Sequence, residues 1–142
     1  MTAEIPLLVL DSFALLAFFQ DEPAADEVES LLRRSVRGEV KLVMTVANLG
    51  EVVYRTIRNH GFERAQEVLG QVEEFNIEMV EVDRDLALMA AYLKGTHRIS
   101  YADCLAAALA QRLDTAVVTG DSDFAQVEDT INIEWLPTGA PQ

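Results

Sequence analysis

Two short apolar runs end on carboxylates. Pro6-Leu7-Leu8-Val9-Leu10 leads into Asp11-Ser12, and Thr115-Ala116-Val117-Val118 leads into Thr119-Gly120-Asp121-Ser122-Asp123-Phe124. A short run rich in Val and Leu reads as a buried parallel strand, and open α/β sheets bind ligands just beyond their strand ends. Both acids are therefore expected on one sheet edge. Glu51 and Asp103 each stand early in a helical pattern that aims them at the same edge. Four carboxylates within about 6 Å of one another repel by roughly 2 to 3 kcal/mol per pair at an effective dielectric near 20, which a bound cation relieves. Hard oxygen ligands suit Mg²⁺ or Mn²⁺, whereas zinc lacks His or Cys partners at ligand spacing. The tens of residues between successive acids fit convergence in a fold and exclude a local calcium loop.

Each acid also has a purely structural explanation. Asp11 precedes an apolar helix and is a good N-cap residue. Asp103 stands three positions after Ser100, in a pattern close to a capping box. Glu51 has Arg55 four residues on, the orientation of an exposed helical ion pair. Asn48 shares the face of Glu51, and Gly50 beside it costs helix stability while permitting close backbone approach, so something is expected near that helix start. Asp121 and Asp123 suit an ordinary turn.

Alternating strand and helix signals must position these residues. Strand 1 is expected at Leu7 to Leu10, followed by a helix through Phe13, Leu16, Ala17 and Phe19 that Asp21-Glu22-Pro23 breaks. A second helix carries Ala24, Val28, Leu31 and Leu32, with Arg33, Arg34 and Arg37 complementing its dipole. Gly38 ends it. Strand 2 spans Lys41 to Met44, and Thr45 opens a helix through Val46, Leu49, Val53 and Ile57 that stops near Asn59-His60-Gly61. Another helix runs from Phe62 to about Phe75, strand 3 covers Ile77 to Val82, and Asp83 caps a helix with Leu86, Ala90 and Leu93. Ser100 caps the next, which runs through Ala102, Leu105, Ala106 and Leu109 to Leu113. Strand 4 is Ala116 to Val118, and a last strand spans Ile131 to Trp135. About five strands and six or seven helices in this order predict a parallel sheet covered by helices.

The 142 residues, half of them hydrophobic, suffice for one core and point to a single domain over residues 1–142. The lone cysteine, Cys104, excludes an internal disulfide, reads as a small buried residue, and makes a reducing cytoplasm the simplest compartment. The apolar first twenty residues carry Glu4 and Asp11 and lack a basic leader, so neither export nor a membrane is expected. The net charge of −13, from 24 acidic and 11 basic residues, argues naively against a nucleic-acid partner. Cations bound in an acidic cleft nevertheless bridge to phosphate, and an acidic surface also suits a basic protein partner.

The blocks Leu8-Val9-Leu10-Asp11-Ser12 with Ala14-Leu15, Asn48-Leu49-Gly50-Glu51-Val52, Ser100 to Ala107, and Val118 to Phe124 together resemble the PIN domain family, and within it the VapC-type toxin ribonucleases of toxin–antitoxin pairs. The resemblance covers nearly the whole chain. It implies a three-layer α/β/α sandwich with a five-stranded parallel sheet and puts the family's four acidic positions on Asp11, Glu51, Asp103 and Asp121. Asp123 and Thr119 match accessory positions, and Ser12 adjoins the first acid. Cys104 stands where the family usually has a bulkier aliphatic residue. The resemblance further implies a homodimer and a small VapB-like antitoxin whose C-terminal segment blocks the site.

The activity expected of such a site is hydrolysis of RNA phosphodiester bonds with one or two Mg²⁺ ions, leaving 5′-phosphate and 3′-hydroxyl ends and needing no His as general base. Arg55, Arg58, Lys94, His97 and Arg98 are the basic residues nearest the site and the candidates for phosphate contacts. His60 and His97 equally suit solvated helix ends. Phe18, Phe19, Leu31 and Leu32 offer a face for a dimer or an antitoxin, although core packing has first claim on them. Two other readings stand beside this one: a PIN-type scaffold that binds RNA or protein without cutting, and a receiver-like phosphoacceptor module. The latter needs a lysine after a late strand, and the only lysines, Lys41 and Lys94, are not so placed.

Overall fold

In the computed structural model, which describes residues 4–139, the strands are β1 (Leu7–Leu10), β2 (Lys41–Thr45), β3 (Ile77–Val80), β4 (Ala116–Thr119) and β5 (Asn132–Trp135). They form one five-stranded sheet in the order β3-β2-β1-β4-β5, with every neighbouring pair parallel. The helices are α1 (Ser12–Phe19), α2 (Ala25–Val36), α3 (Val46–His60), α4 (Phe62–Glu74), α5 (Arg84–Thr96) and α6 (Tyr101–Arg112), with a short 3-10 helix at Ser122–Val127. The chain builds outward from β1 to β3, then crosses to β4 on the other side of β1. That reversal of strand order makes the carboxyl ends of β1 and β4 the switch point where open sheets form clefts.

The sheet is buried on both faces, as the continuous apolar runs of its central strands require. Leu8 and Leu10 of β1, Leu42 and Met44 of β2 and Val118 of β4 join one core with residues of α1, α2, α3 and α4. Val9, Val43 and Val117, which alternate with them, join the other core with α5, α6 and the 3-10 helix. The result is the three-layer α/β/α sandwich expected from the sequence. Among the described residues no helix is long and apolar enough to cross a membrane.

The element boundaries have identifiable local causes. Strand 3 stops at Val80 rather than Val82 because its partner residue in β2, Thr45, is the last before that chain turns into α3. The break at Asp21-Glu22-Pro23 separates α1 from α2, with Asp21 in the left-handed region at φ 52°, a conformation Asp tolerates. Gly61, at φ 92°, ends α3 and begins α4.

Two helices matter most for the site. In α1, Asp11 caps the N-terminus by accepting the Ala14 N–H at 3.1 Å. In α6, every residue from Asp103 to Ala110 is buried, and the run of alanines lets this helix lie between the sheet and α5. The 3-10 helix is held by Phe124, which is fully buried against α6-side residues. Replacing that ring by alanine (Phe124→Ala) is expected to lower unfolding free energy by about 3 to 5 kcal/mol in urea denaturation. Exposed Ser122→Ala next to it should move stability by less than about 0.5 kcal/mol.

Candidate metal centre

The carboxyl end of β1 delivers Asp11, and the end of the adjacent β4, paired Leu10 to Val118, delivers Thr119-Gly120-Asp121. Gly120 permits that approach. A Cβ there would stand 2.5 Å from the ring of Phe13, in the first turn of α1, so any side chain would force that ring to shift. Gly50, by contrast, is exposed with open space around it, and the expected close backbone approach at that position is not found.

Asp11 is 1% exposed. One carboxylate oxygen is spent on the α1 cap, while Oδ2 is buried with no hydrogen-bond partner. The Thr119 hydroxyl beside it favours the ionised form without meeting hydrogen-bond geometry at Oδ2, and it accepts the Asp121 N–H at 3.0 Å. Burial pushes the Asp11 carboxyl up to about 8, and the charges of Asp103 and Asp121 push in the same direction.

Asp103 lies in the first turn of α6, where Ser100 caps the helix by accepting its N–H at 3.1 Å. Burial raises this carboxyl to about 7, helped by the charges of Asp121, Glu51 and Asp123 and opposed by the Ser100 hydroxyl. Asp103 thus feels three of the other acids, and its own charge acts on Asp11. Its carboxylate and those of Asp121 and Asp123 each offer an oxygen within 4.8 Å of the other two. Asp121 meanwhile receives the Asp123 N–H at 2.9 Å, which starts the 3-10 helix. The turn and capping explanations for these acids therefore hold, and the acids converge as well.

Glu51 sits one and a half turns into α3 and is mostly buried, its side chain 13% exposed. Oε1 accepts the Ser12 hydroxyl at 2.7 Å and Oε2 faces Arg55 at 3.5 Å. The ion pair expected on the surface exists, but its carboxylate belongs to the acidic cup. Asn48, fully buried, contacts Ser12, Thr45 and the Ala102 carbonyl. Its place on the Glu51 face was the only sequence signal for that role.

The remaining basic candidates have other local partners. Arg58 packs over the Tyr54 ring, 5.0 Å from its centroid. The Lys94 charge reaches the Cys104 thiol next to Asp103. His97 Nδ1 is 2.9 Å from the Leu93 carbonyl, which can only accept, so this nitrogen carries the proton in that contact and caps the end of α5. Arg98 exchanges two backbone hydrogen bonds with the Gln126 amide, clamping the α5–α6 connection to the 3-10 helix that follows Asp121. Gln126 had no signal in the sequence. Cys104 is buried, and burial holds its thiol up at about 11. Leu31 and Leu32 are core residues, whereas Phe18, Leu32, Val36 and Phe75 line an open apolar groove of about 310 Å³.

These residues fit a divalent cation: the Asp103, Asp121 and Asp123 carboxylates converge, and Asp11, which feels the charges of Asp103 and Asp121, has a buried oxygen without a hydrogen-bond partner. A parallel α/β/α sheet with an acidic cup at its switch point defines the class. The PIN domain family model matches residues 8–129, and the chain belongs to that family. No curated protein is a significant sequence match. Among solved structures, the fold is similar to VapBC2 from Rickettsia felis bound to a promoter DNA fragment, at TM-score 0.71 and 16% identity over 92% of this chain and 99% of that one. It is also similar to Mycobacterium tuberculosis VapC20, a sarcin-ricin loop cleaving toxin, at TM-score 0.67 and 17% identity over 85% and 94% of the two chains. DNA-bound VapBC from Salmonella typhimurium aligns at TM-score 0.66 and 19% identity over 92% and 98%.

Without a cation, the cup opposes folding as pH rises. Asp11 holds its proton in the native state up to about 8, whereas the unfolded chain loses it near 3.8. The unfolded state is thus favoured increasingly as pH rises between these values, and Asp103 acts in the same direction up to about 7. In EDTA, Asp11→Asn is expected to be more stable than wild type by about 1 to 3 kcal/mol at pH 8, with the gap closing towards pH 4. Chemical denaturation at several pH values checks this.

Proposed function

We propose that this protein is a divalent-metal-dependent endoribonuclease, acting as one domain and serving as the toxin of a type II toxin–antitoxin pair in the cytoplasm. The observation that carries the reading is the buried, unpartnered oxygen of Asp11, within reach of the Asp103 and Asp121 charges, together with the close grouping of the Asp103, Asp121 and Asp123 carboxylates. Membership of the PIN domain family and the likeness in fold to VapC proteins support it.

On this reading Asp11, Glu51, Asp103 and Asp121 hold Mg²⁺ or Mn²⁺, with Asp123, Thr119 and Ser12 as accessory residues. When bound, the ion supplies a water of lowered pKa and neutralises charge on the scissile phosphate and the leaving 3′ oxygen. The protein orients that chemistry. Asp11 is fixed by its cap, Asp103 by the rigid first turn of α6, and Asp121 by the Asp123 N–H. Arg55, Arg58, Lys94, His97 and Arg98 receive the RNA backbone. Arg58, Lys94 and Arg98 have no ion-pair partner among the described residues, which leaves them available to phosphate. A VapB-like antitoxin uses the groove at Phe18, Leu32, Val36 and Phe75, its basic C-terminal segment neutralising the cup, and the toxin is a homodimer.

Purified, partner-free protein is expected to cut a pool of structured RNAs in Mg²⁺ or Mn²⁺, leaving 5′-phosphate and 3′-hydroxyl ends, and to stop in EDTA. Asp11→Asn and Asp103→Asn should each lower cleavage on the order of a hundredfold or more. Equal cleavage by wild type and both variants would overturn the assignment. RNA that is bound but left uncut by the metal-loaded protein would favour the scaffold reading instead.

A further inference from the structure

Asn48 is 0% exposed, and its carboxamide is hydrogen-bonded at both ends. The Ala102 carbonyl can only accept, so Nδ2 faces it at 3.2 Å. Oδ1 then faces Thr45, whose hydroxyl donates to it at 2.5 Å while accepting the Asn48 backbone N–H at 3.0 Å. The second Nδ2 proton goes to the Ser12 hydroxyl oxygen at 3.2 Å. Ser12 has one proton of its own and two acceptors in reach: the Glu51 carboxylate at 2.7 Å and the Asn48 carbonyl at 3.1 Å. The charged, nearer acceptor takes it. The side-chain donors therefore run one way, from Thr45 through Asn48 and Ser12 to Glu51, with the other Asn48 proton branching to Ala102.

This chain touches α1, α3 and α6, three of the elements at the cup. Ser12 follows Asp11 at the start of α1, Asn48 and Glu51 share a face of α3, and Ala102 precedes Asp103 in α6. Ala at position 48 would lose both the donor and the acceptor. Asp there would place a further negative group behind the cup and turn the Ser12 proton away from Glu51.

We propose that Asn48 is a positioning residue that sets cation affinity by directing the Ser12 hydroxyl onto Glu51 and tying the Asp103 turn of α6 to α3. It touches neither substrate nor ion. The proposal deepens the metal-dependent nuclease reading and rests on it.

The test titrates metal-free protein with Mn²⁺, read by electron paramagnetic resonance, alongside thermal midpoints and steady-state RNA cleavage. The variants are Asn48→Ala, Ser12→Ala, the double variant, and Thr56→Val. Thr56 is a buried control whose hydroxyl bonds only the Val52 carbonyl of its own helix. Asn48→Ala and Ser12→Ala are each expected to weaken Mn²⁺ binding about 10- to 100-fold and to lower kcat, with KM for RNA held within about twofold. The double variant should be little worse than the weaker single, because both act through one chain of bonds. Thr56→Val should lose thermal stability with Mn²⁺ affinity unchanged. Wild-type Mn²⁺ affinity in Asn48→Ala, or a loss matched by Thr56→Val, would overturn the proposal while leaving the nuclease reading intact. Full additivity in the double variant would overturn the relay. If Asn48→Ala does not fold, Ser12→Ala decides alone by the same criterion. A wild-type protein that neither binds Mn²⁺ nor cuts RNA would bring down the nuclease reading and this proposal with it.

Discussion

Desolvated negative charge at the carboxyl end of β1 is the constraint around which this structure is arranged. A carboxyl taken out of water resists ionising, and neighbouring carboxylates add to that resistance. Asp11 is in that position, with one oxygen committed to the backbone and the other to nothing. The same burial that makes it a poor anion in the free protein would favour a bound cation there, because the ion would recover electrostatic energy that the fold has given up. Stability is thereby exchanged for function at one place, as is usual for perturbed groups in clefts.

The fold brings the acids together by reusing ordinary element boundaries. Asp11 caps α1, Asp121 starts the 3-10 helix, and Asp103 occupies the first turn of a helix that Ser100 caps. Helix starts and strand ends gather on one edge of a parallel sheet, so residues chosen for capping are automatically candidates for chemistry there. Structural and chemical roles do not compete, since a carboxylate has two oxygens and a cap needs only one.

Charge is distributed just as unevenly. Although the chain carries a net charge of −13, most of its cations are held in local ion pairs, such as Arg37 with Glu39 and Arg112 with Asp83. Arg58, Lys94 and Arg98 lie outside those pairs. The average charge therefore says little about nucleic-acid binding, which depends on the field at the contact surface.

The order and type of the elements were legible in the sequence because local physics decides them: apolar runs of four or five residues, helical periodicity, and Asp, Ser or Gly at the boundaries. That acids would gather near one sheet edge could be anticipated from the same signals, since topology alone brings strand ends together; the three whose oxygens lie within 4.8 Å of one another are Asp103, Asp121 and Asp123. Which atoms remain unsatisfied could not. The buried Oδ2 of Asp11, the promotion of Asp123 into the tightest acidic group, the contact of Gly120 with Phe13, and the one-way chain through Asn48 all depend on distances between segments far apart in the chain. Periodicity and spacing report which face a residue takes. Only packed tertiary structure determines what that face meets, because hydrogen bonds and repulsions act over a few ångströms in space and have no signature along the chain.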